Sequence, residues 1–215
     1  MLDLTQAAID DAALVVVDMQ KGFLDADSGF ARALGDISRQ QGMIDQVREL
    51  VDVCRGAGMP VLWSRQVHFR DDQTRVRRHF PTHLQKRNIE AVLYGTDEVE
   101  IVDELKDSVA PEDHVFVKHR ASCFYNTTLE TKLRMMGKQV VVVCGINSNY
   151  CVDSTVRDAY FREFDILLVK DCVAGTFDDL TAAFIKNFDI YFGVSTTLDE
   201  LRERLASGER AGQPA

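Results

Sequence analysis

Short, unbroken apolar runs alternate along this chain with segments whose apolar residues recur at helical spacing. Leu14–Val17 is a β-branched run without polar alternation, the pattern of a strand covered on both faces. The pattern returns at Val61–Trp63, Val115–Val117, Val140–Val143 and Ile166–Val169, and Ile190–Val194 is expected to form a sixth strand. Between these runs Met43, Val47, Leu50, Val51 and Cys54 share one helical face, and that segment stops at Gly56-Ala57-Gly58-Met59-Pro60. Thr127–Glu130 has capping-box spacing, followed by Leu129, Leu133 and Met136 on one face and a stop at Gly137. Val152, Val156, Ala159 and Tyr160 mark a further helix, and Thr196 is expected to cap a last one running to about Leu205. Repeated strand–helix–strand units predict an α/β fold. The expected form is a three-layer α/β/α Rossmann-like sandwich around a central, mostly parallel sheet of about six strands. Phe23–Gln41 and His68–Thr96 have poor periodicity; the second stretch, with Arg70-Asp71-Asp72-Gln73 and Arg75-Val76-Arg77-Arg78, is expected as exposed loop or lid.

Composition narrows the class. With 215 residues and no internal repeat or linker, a single domain is expected over 1–215, its core at about 13–205 and a fraying tail at 207–215. An apolar share of 46% with 27% charge excludes a disordered chain, and the brevity of the apolar runs excludes a membrane-spanning helix. A net charge of −9 argues against nucleic-acid binding, which needs a positive field. The polar, acidic start does not read as a secretory leader. Five cysteines, an odd number without CxxC spacing, read as reduced thiols. The expectation is a cytoplasmic protein acting on a small molecule, with neither nucleic acid nor membrane as partner.

In open parallel sheets, ligands bind beyond the carboxyl ends of the strands. Three reactive side chains follow apolar runs: Asp18 after Leu14–Val17, Lys118 after Val115–Val117, and Cys151 in the turn after Val140–Cys144. Each has a plainer reading, as a turn former, a solvated charge or a small buried hydrophobe. Cys151 stands at a helix start, where backbone dipoles and a nearby ammonium would favour the thiolate. Cys54 and Cys144 read as core, but Cys123 and Cys172 also follow strands, so position alone leaves the nucleophile open.

The segments Asp18-Met19-Gln20, Lys118–Thr127 and Gly145–Val152 resemble those of the isochorismatase-like cysteine hydrolases, a superfamily that includes nicotinamidases and N-carbamoylsarcosine, ureidoacrylate and biuret amidohydrolases. Thr155–Ala159 and Lys170–Ala174 resemble family segments too, so the likeness spans about Ala13–Leu205. It implies a triad of Asp18, Lys118 and Cys151 and a non-proline cis peptide between Ile146 and Asn147. It also implies an oxyanion hole from the backbone amides of Asn147 and Cys151. No metal or organic cofactor is implied. Relatives commonly form dimers or tetramers, which makes a homodimer or homotetramer the expectation here. The chain departs from the family at Asn147-Ser148, where Ala-Thr is commoner, which puts an amide side chain beside the hole.

Nicotinamidases carry a metal site written Asp-x-His; the corresponding stretch here is Gln66-Val67-His68, without the carboxylate that such a site favours. His79 and His83 are spaced i, i+4 but lack a nearby acid at metal spacing. A complete triad fits acyl transfer better than isochorismatase-type cleavage of a vinyl ether, which needs an acid but no thiolate; that reaction and a non-catalytic metabolite binder are the alternatives. Small amides, carbamoyl compounds and ureides remain, with N-carbamoyl or ureido acids favoured and biuret-like compounds next. The expected substrate contacts are Gln20, Phe23, Arg65, His68, Arg70, Cys123 and Tyr150, although for Gln20 a structural role in ordering the loop is the preferred reading. Arg75 and Arg78 extend a basic cluster that a substrate carboxylate would match.

Overall fold

The computed structural model describes residues 6–211. Six strands form one sheet: β1 (Ala12–Val17), β2 (Val61–Gln66), β3 (His114–Lys118), β4 (Val140–Ile146), β5 (Asp165–Ala174) and β6 (Val194–Thr196). Their order is β3-β2-β1-β4-β5-β6, and every neighbouring pair is parallel. Chain direction across the sheet therefore reverses between β1 and β4, and a crevice opens there at the strands' carboxyl ends.

The burial of β1 explains its unpolar sequence. Ala12, Leu14 and Val16 point into a cluster with Val47, Leu50, Val51 and Cys54 of the helix Ile44–Gly56. Ala13, Val15 and Val17 point the opposite way, into a cluster with Leu129, Leu133, Val156 and Phe188. A strand with a core on each face has no solvent side to mark with polar residues. Fully burying one such Val or Leu stabilises by about 1.5–3 kcal/mol, so the middle of the sheet anchors everything built on its ends.

Several boundaries differ from the sequence pattern. The expected sixth strand at Ile190–Val194 begins only at Val194, because buried Phe184 and Phe188 keep a helix going from Asp178 to Tyr191. The last helix, Leu198–Ala211, is capped by Thr197 and not Thr196: Thr197 Oγ1 accepts from the Glu200 amide at 3.2 Å, and Glu200 Oε2 accepts from the Thr197 amide at 3.0 Å. Thr196 instead pairs with Val169 inside the sheet. That helix covers 207–211 of the expected tail; 212–215 lie outside the described residues. The capping box at Thr127–Glu130 does not form, since the Thr128 hydroxyl contacts His114 Nε2 at 3.1 Å while Thr127 accepts from the Leu129 amide at 3.2 Å. Of the two weakly patterned stretches, 23–41 folds mainly into the short helices Gly29–Leu34 and Ser38–Gly42. The second is largely loop around the helix His83–Lys86, for which Thr82 and Gln85 supply a complete capping box. Among the described residues no helix is long and apolar enough to cross a membrane.

Candidate active site

Three strand ends bring the expected groups together. Asp18 follows β1 in a left-handed conformation (φ 54°), and it is held by Ser64 of β2. Its amide donates to Ser64 Oγ at 3.1 Å, and the Ser64 hydroxyl donates back to Asp18 Oδ1 at 2.7 Å. Lys118 ends β3 in register with Gln66, the last residue of β2. Its ammonium lies 2.7 Å from Asp18 Oδ2, 2.7 Å from Gln66 Oε1, 3.1 Å from the Arg120 carbonyl and 3.4 Å from Cys151 Sγ. Asp18 and Lys118 are wholly buried. Burial works against the Lys118 charge, but Asp18 and then Cys151 outweigh it and hold the ammonium above its usual range.

The sulfur arrives from β4. Gly145 (φ 113°) passes so close to β1 that a Cβ there would lie 2.1 Å from the Val17 carbonyl oxygen, so no side chain fits. The Ile146–Asn147 peptide is cis. One π-helical turn, Ser148–Val152, then carries Cys151 and leads into the helix Asp153–Tyr160. Thr155 ties this turn to the segment after β3, because its hydroxyl donates to the Cys151 carbonyl at 2.7 Å and accepts from the Cys123 amide at 3.0 Å.

The protonation state of that sulfur departs from the sequence expectation. Burial pushes the Cys151 thiol far above its ordinary range; Lys118 opposes this only in part, and the Asp18 carboxylate adds to it. Burial therefore favours the thiol over the thiolate. Its helix-start position sits inside a π turn rather than at a free N-terminus, and burial is the stronger influence. The Asp18 carboxylate is the acidic group nearest to hand, within hydrogen-bonding reach of the sulfur.

Cys151 lies on the wall of a pocket shared with Phe23, Phe30, His68, Tyr150 and Asn147, among others. Four expected contacts are not on that wall. Gln20 is buried as a strut, donating to the Gln66 and Val99 carbonyls at 2.9 and 2.8 Å and accepting from the Gln66 amide. Arg65 is paired with Glu100 at 2.6 Å and Arg70 with Glu90 at 2.9 Å. Cys123 is completely buried, and burial raises its thiol to about 11. Gln66, Arg77, His83, His119 and Arg120 line the pocket instead. The Tyr150 ring meets His83 edge-on, with centroids 4.5 Å apart. Burial, and next the Lys118 charge, lower His68 to about 4, so its imidazole is neutral near pH 7. Arg120 was legible in principle, since it lies two residues beyond Lys118; Arg77 sits in a loop without periodicity. Among the described residues no three His, Cys, Asp or Glu side chains are grouped to hold a metal ion.

Comparison with known proteins identifies the family. The Isochorismatase domain model matches residues 12–200, and the chain belongs to the isochorismatase family of hydrolases. It is 30% identical to ureidoacrylate amidohydrolase RutB of Methylorubrum extorquens, over 96% of this chain and 87% of that protein. It is 28% identical to nicotinamidase 3 of Arabidopsis thaliana, over 90% of this chain and 88% of the other. The fold matches a cysteine hydrolase crystal structure from Pseudomonas syringae pv. phaseolicola with a TM-score of 0.79 at 21% identity, covering 97% of both chains. The relatives so named are amidohydrolases acting on C–N bonds.

Proposed function

We propose that this protein is a cysteine amidohydrolase that cleaves a C–N bond of a small amide, carbamoyl or ureido compound through a thioester on Cys151. The observation that carries the reading is the Lys118 ammonium bridging Asp18 Oδ2 at 2.7 Å and Cys151 Sγ at 3.4 Å beside an open pocket. A buried carboxylate beside a buried thiol has a use in proton transfer that a binding module lacks.

Asp18 takes the thiol proton as sulfur attacks the substrate carbonyl carbon, and Lys118 stabilises the charge that develops on sulfur. The tetrahedral oxyanion is received by the backbone amides of Asn147 and Cys151; one such donor typically lowers a barrier by roughly 3 kcal/mol. Protonated Asp18 then gives its proton to the departing nitrogen, which leaves as ammonia or an amine. A water molecule, deprotonated by Asp18, attacks the thioester carbonyl. The acid product departs, the proton returns to sulfur and the enzyme is regenerated.

Within this class a ureido substrate is preferred to a nicotinamide-type one. At the position that the family resemblance assigns to the metal-binding carboxylate of nicotinamidases, Gln66 stands here and spends its oxygen on Lys118 at 2.7 Å. A neutral amide already engaged by an ammonium is a poor ligand for a divalent cation. The direct test is ammonia release from N-carbamoylglycine by the wild-type protein and by Cys151→Ala. Release that disappears in the variant supports the reading, and an undiminished rate overturns it.

A further inference from the structure

We propose that Arg77 and Arg120 form an anion-binding mouth to the pocket, so that the preferred substrates are those carrying a carboxylate at the end remote from the scissile C–N bond. The inference rests on the amidohydrolase reading and names the substrate class of that same site.

The starting point is how this acidic chain spends its arginines. Three of the four that the sequence pattern offers for carboxylate recognition are already used within the protein. Arg65 pairs with Glu100 at 2.6 Å, Arg70 with Glu90 at 2.9 Å, and Arg75 reaches Glu90 at 3.4 Å and the Ile89 carbonyl at 3.1 Å. Arg78 is exposed and does not line this pocket. Two other arginines do line it, and among the described residues neither has an ion-pair partner. Among the described residues the Arg120 guanidinium donates only to the His119 carbonyl, at 2.7 Å, and Arg77 donates only through its backbone amide, to Gln85 Oε1 at 3.2 Å.

The charges around them compensate this pair only in part. Among the described residues no Asp or Glu lines the pocket, although the chain carries 34 of them. The Asp18 carboxylate lies beneath the floor, neutralised by Lys118. Asp72 acts on Arg120 without forming an ion pair with it, and its carboxylate accepts from the Thr74 amide at 2.7 Å and from the Thr74 hydroxyl. Burial drives His68 and His83 towards their neutral forms, so the positive charge of the wall comes from the guanidinium groups. They arrive from separate elements, Arg77 from the loop before the helix His83–Lys86 and Arg120 from the turn after β3. Both line the pocket together with Tyr150, and both charges act on its ring hydroxyl. Two guanidinium forks without ion-pair partners on the wall of one pocket, the exposed Arg77 at its rim, match the two oxygens of a carboxylate. The reacting carbonyl would then lie inward at Cys151, with the anionic tail at the mouth.

The test compares N-carbamoylglycine with its methyl ester, which keeps the ureido head and removes the charge, at constant ionic strength. For the wild type, KM for the ester is expected to exceed KM for the acid by about 10- to 100-fold, the worth of one or two charge-assisted hydrogen bonds. Arg120→Gln and Arg77→Gln should each shrink that ratio, and the double variant should bring it close to 1. Arg78→Gln should leave it unchanged. Dissociation constants of both compounds measured by calorimetry on Cys151→Ala should follow the same pattern, and they decide the matter even if no compound is turned over. Equal KM or Kd values for acid and ester in the wild-type background would overturn the proposal, as would a ratio that Arg78→Gln reduces as much as Arg120→Gln does. Ammonia release that survives Cys151→Ala would instead strike at the amidohydrolase reading, leaving the binding measurements to judge the mouth.

Discussion

Replacing Asp18 by Asn leaves Lys118 as a buried charge without its counter-ion, and the consequence can be worked from the structure. The ammonium and carboxylate are 2.7 Å apart with side chains 0% and 1% exposed. At an effective dielectric near 20, such a pair attracts by about 6 kcal/mol, part of which offsets the cost of removing both charges from water. Asn preserves the volume and can still accept from Ser64, so the perturbation is mainly the lost charge. Removing one partner of a buried pair typically costs about 3–5 kcal/mol. Asp18→Asn should therefore lose that much unfolding free energy in urea titrations at pH 7. Lys118→Met, stranding the carboxylate, should lose a similar amount. The double variant Asp18→Asn/Lys118→Met strands neither, and should return to within about 2 kcal/mol of the wild type. Because the ammonium is held above its ordinary pKa, its contribution is fully present below the unfolded lysine value and is lost as pH rises through the folded one. A double variant whose loss equals the sum of the single losses would show no coupling, and would refute the view that these residues form an ion pair under the sulfur.

Three further outcomes are expected. Ser64→Ala removes both hydrogen bonds that orient Asp18, and kcat for ammonia release should fall about tenfold or more while circular dichroism and KM change little. Gly145→Ala forces a Cβ to within 2.1 Å of the Val17 oxygen and into an unfavourable φ, so thermal unfolding should show a loss of about 3 kcal/mol or more, or no folded protein; an unchanged Tm would contradict the close approach of β1 and β4. His68, lowered to about 4 chiefly by burial, makes the folded state bind fewer protons than the unfolded state between pH 6.5 and 4. Its contribution to stability is complete above pH 6.5 and declines as pH falls towards 4, by about 3 kcal/mol in all; in His68→Gln that part of the pH slope in denaturant titrations should disappear.

What was legible in the sequence follows from which interactions are local. The unalternating Leu14–Val17 run announces a strand with a core on each face, and the ends of three such runs deliver Asp18, Lys118 and Cys151 to one place. The boundaries that failed were set by neighbours. Ile190 and Tyr191 are apolar but stay helical because Phe184 and Phe188 are buried one turn apart on the same helix. The state of the Cys151 thiol depends on burial, which its position at a helix start does not report. The pocket arginines were equally hidden. Arg65 and Arg70 are consumed by Glu100 and Glu90, 35 and 20 residues further along, and such pairings leave no periodic trace in a loop. Gln20 follows β1 as its sequence position implies, but its amide is taken up by two backbone segments.

Acyl transfer to one particular sulfur can be observed by rapid acid quench of the protein during turnover of N-carbamoylglycine, followed by intact-mass measurement and peptide mapping. The account predicts an increment equal to the substrate less its departing amine, carried on the peptide that contains Cys151 and absent from Cys151→Ala. Turnover without any such increment, or an increment carried by Cys123, would contradict it.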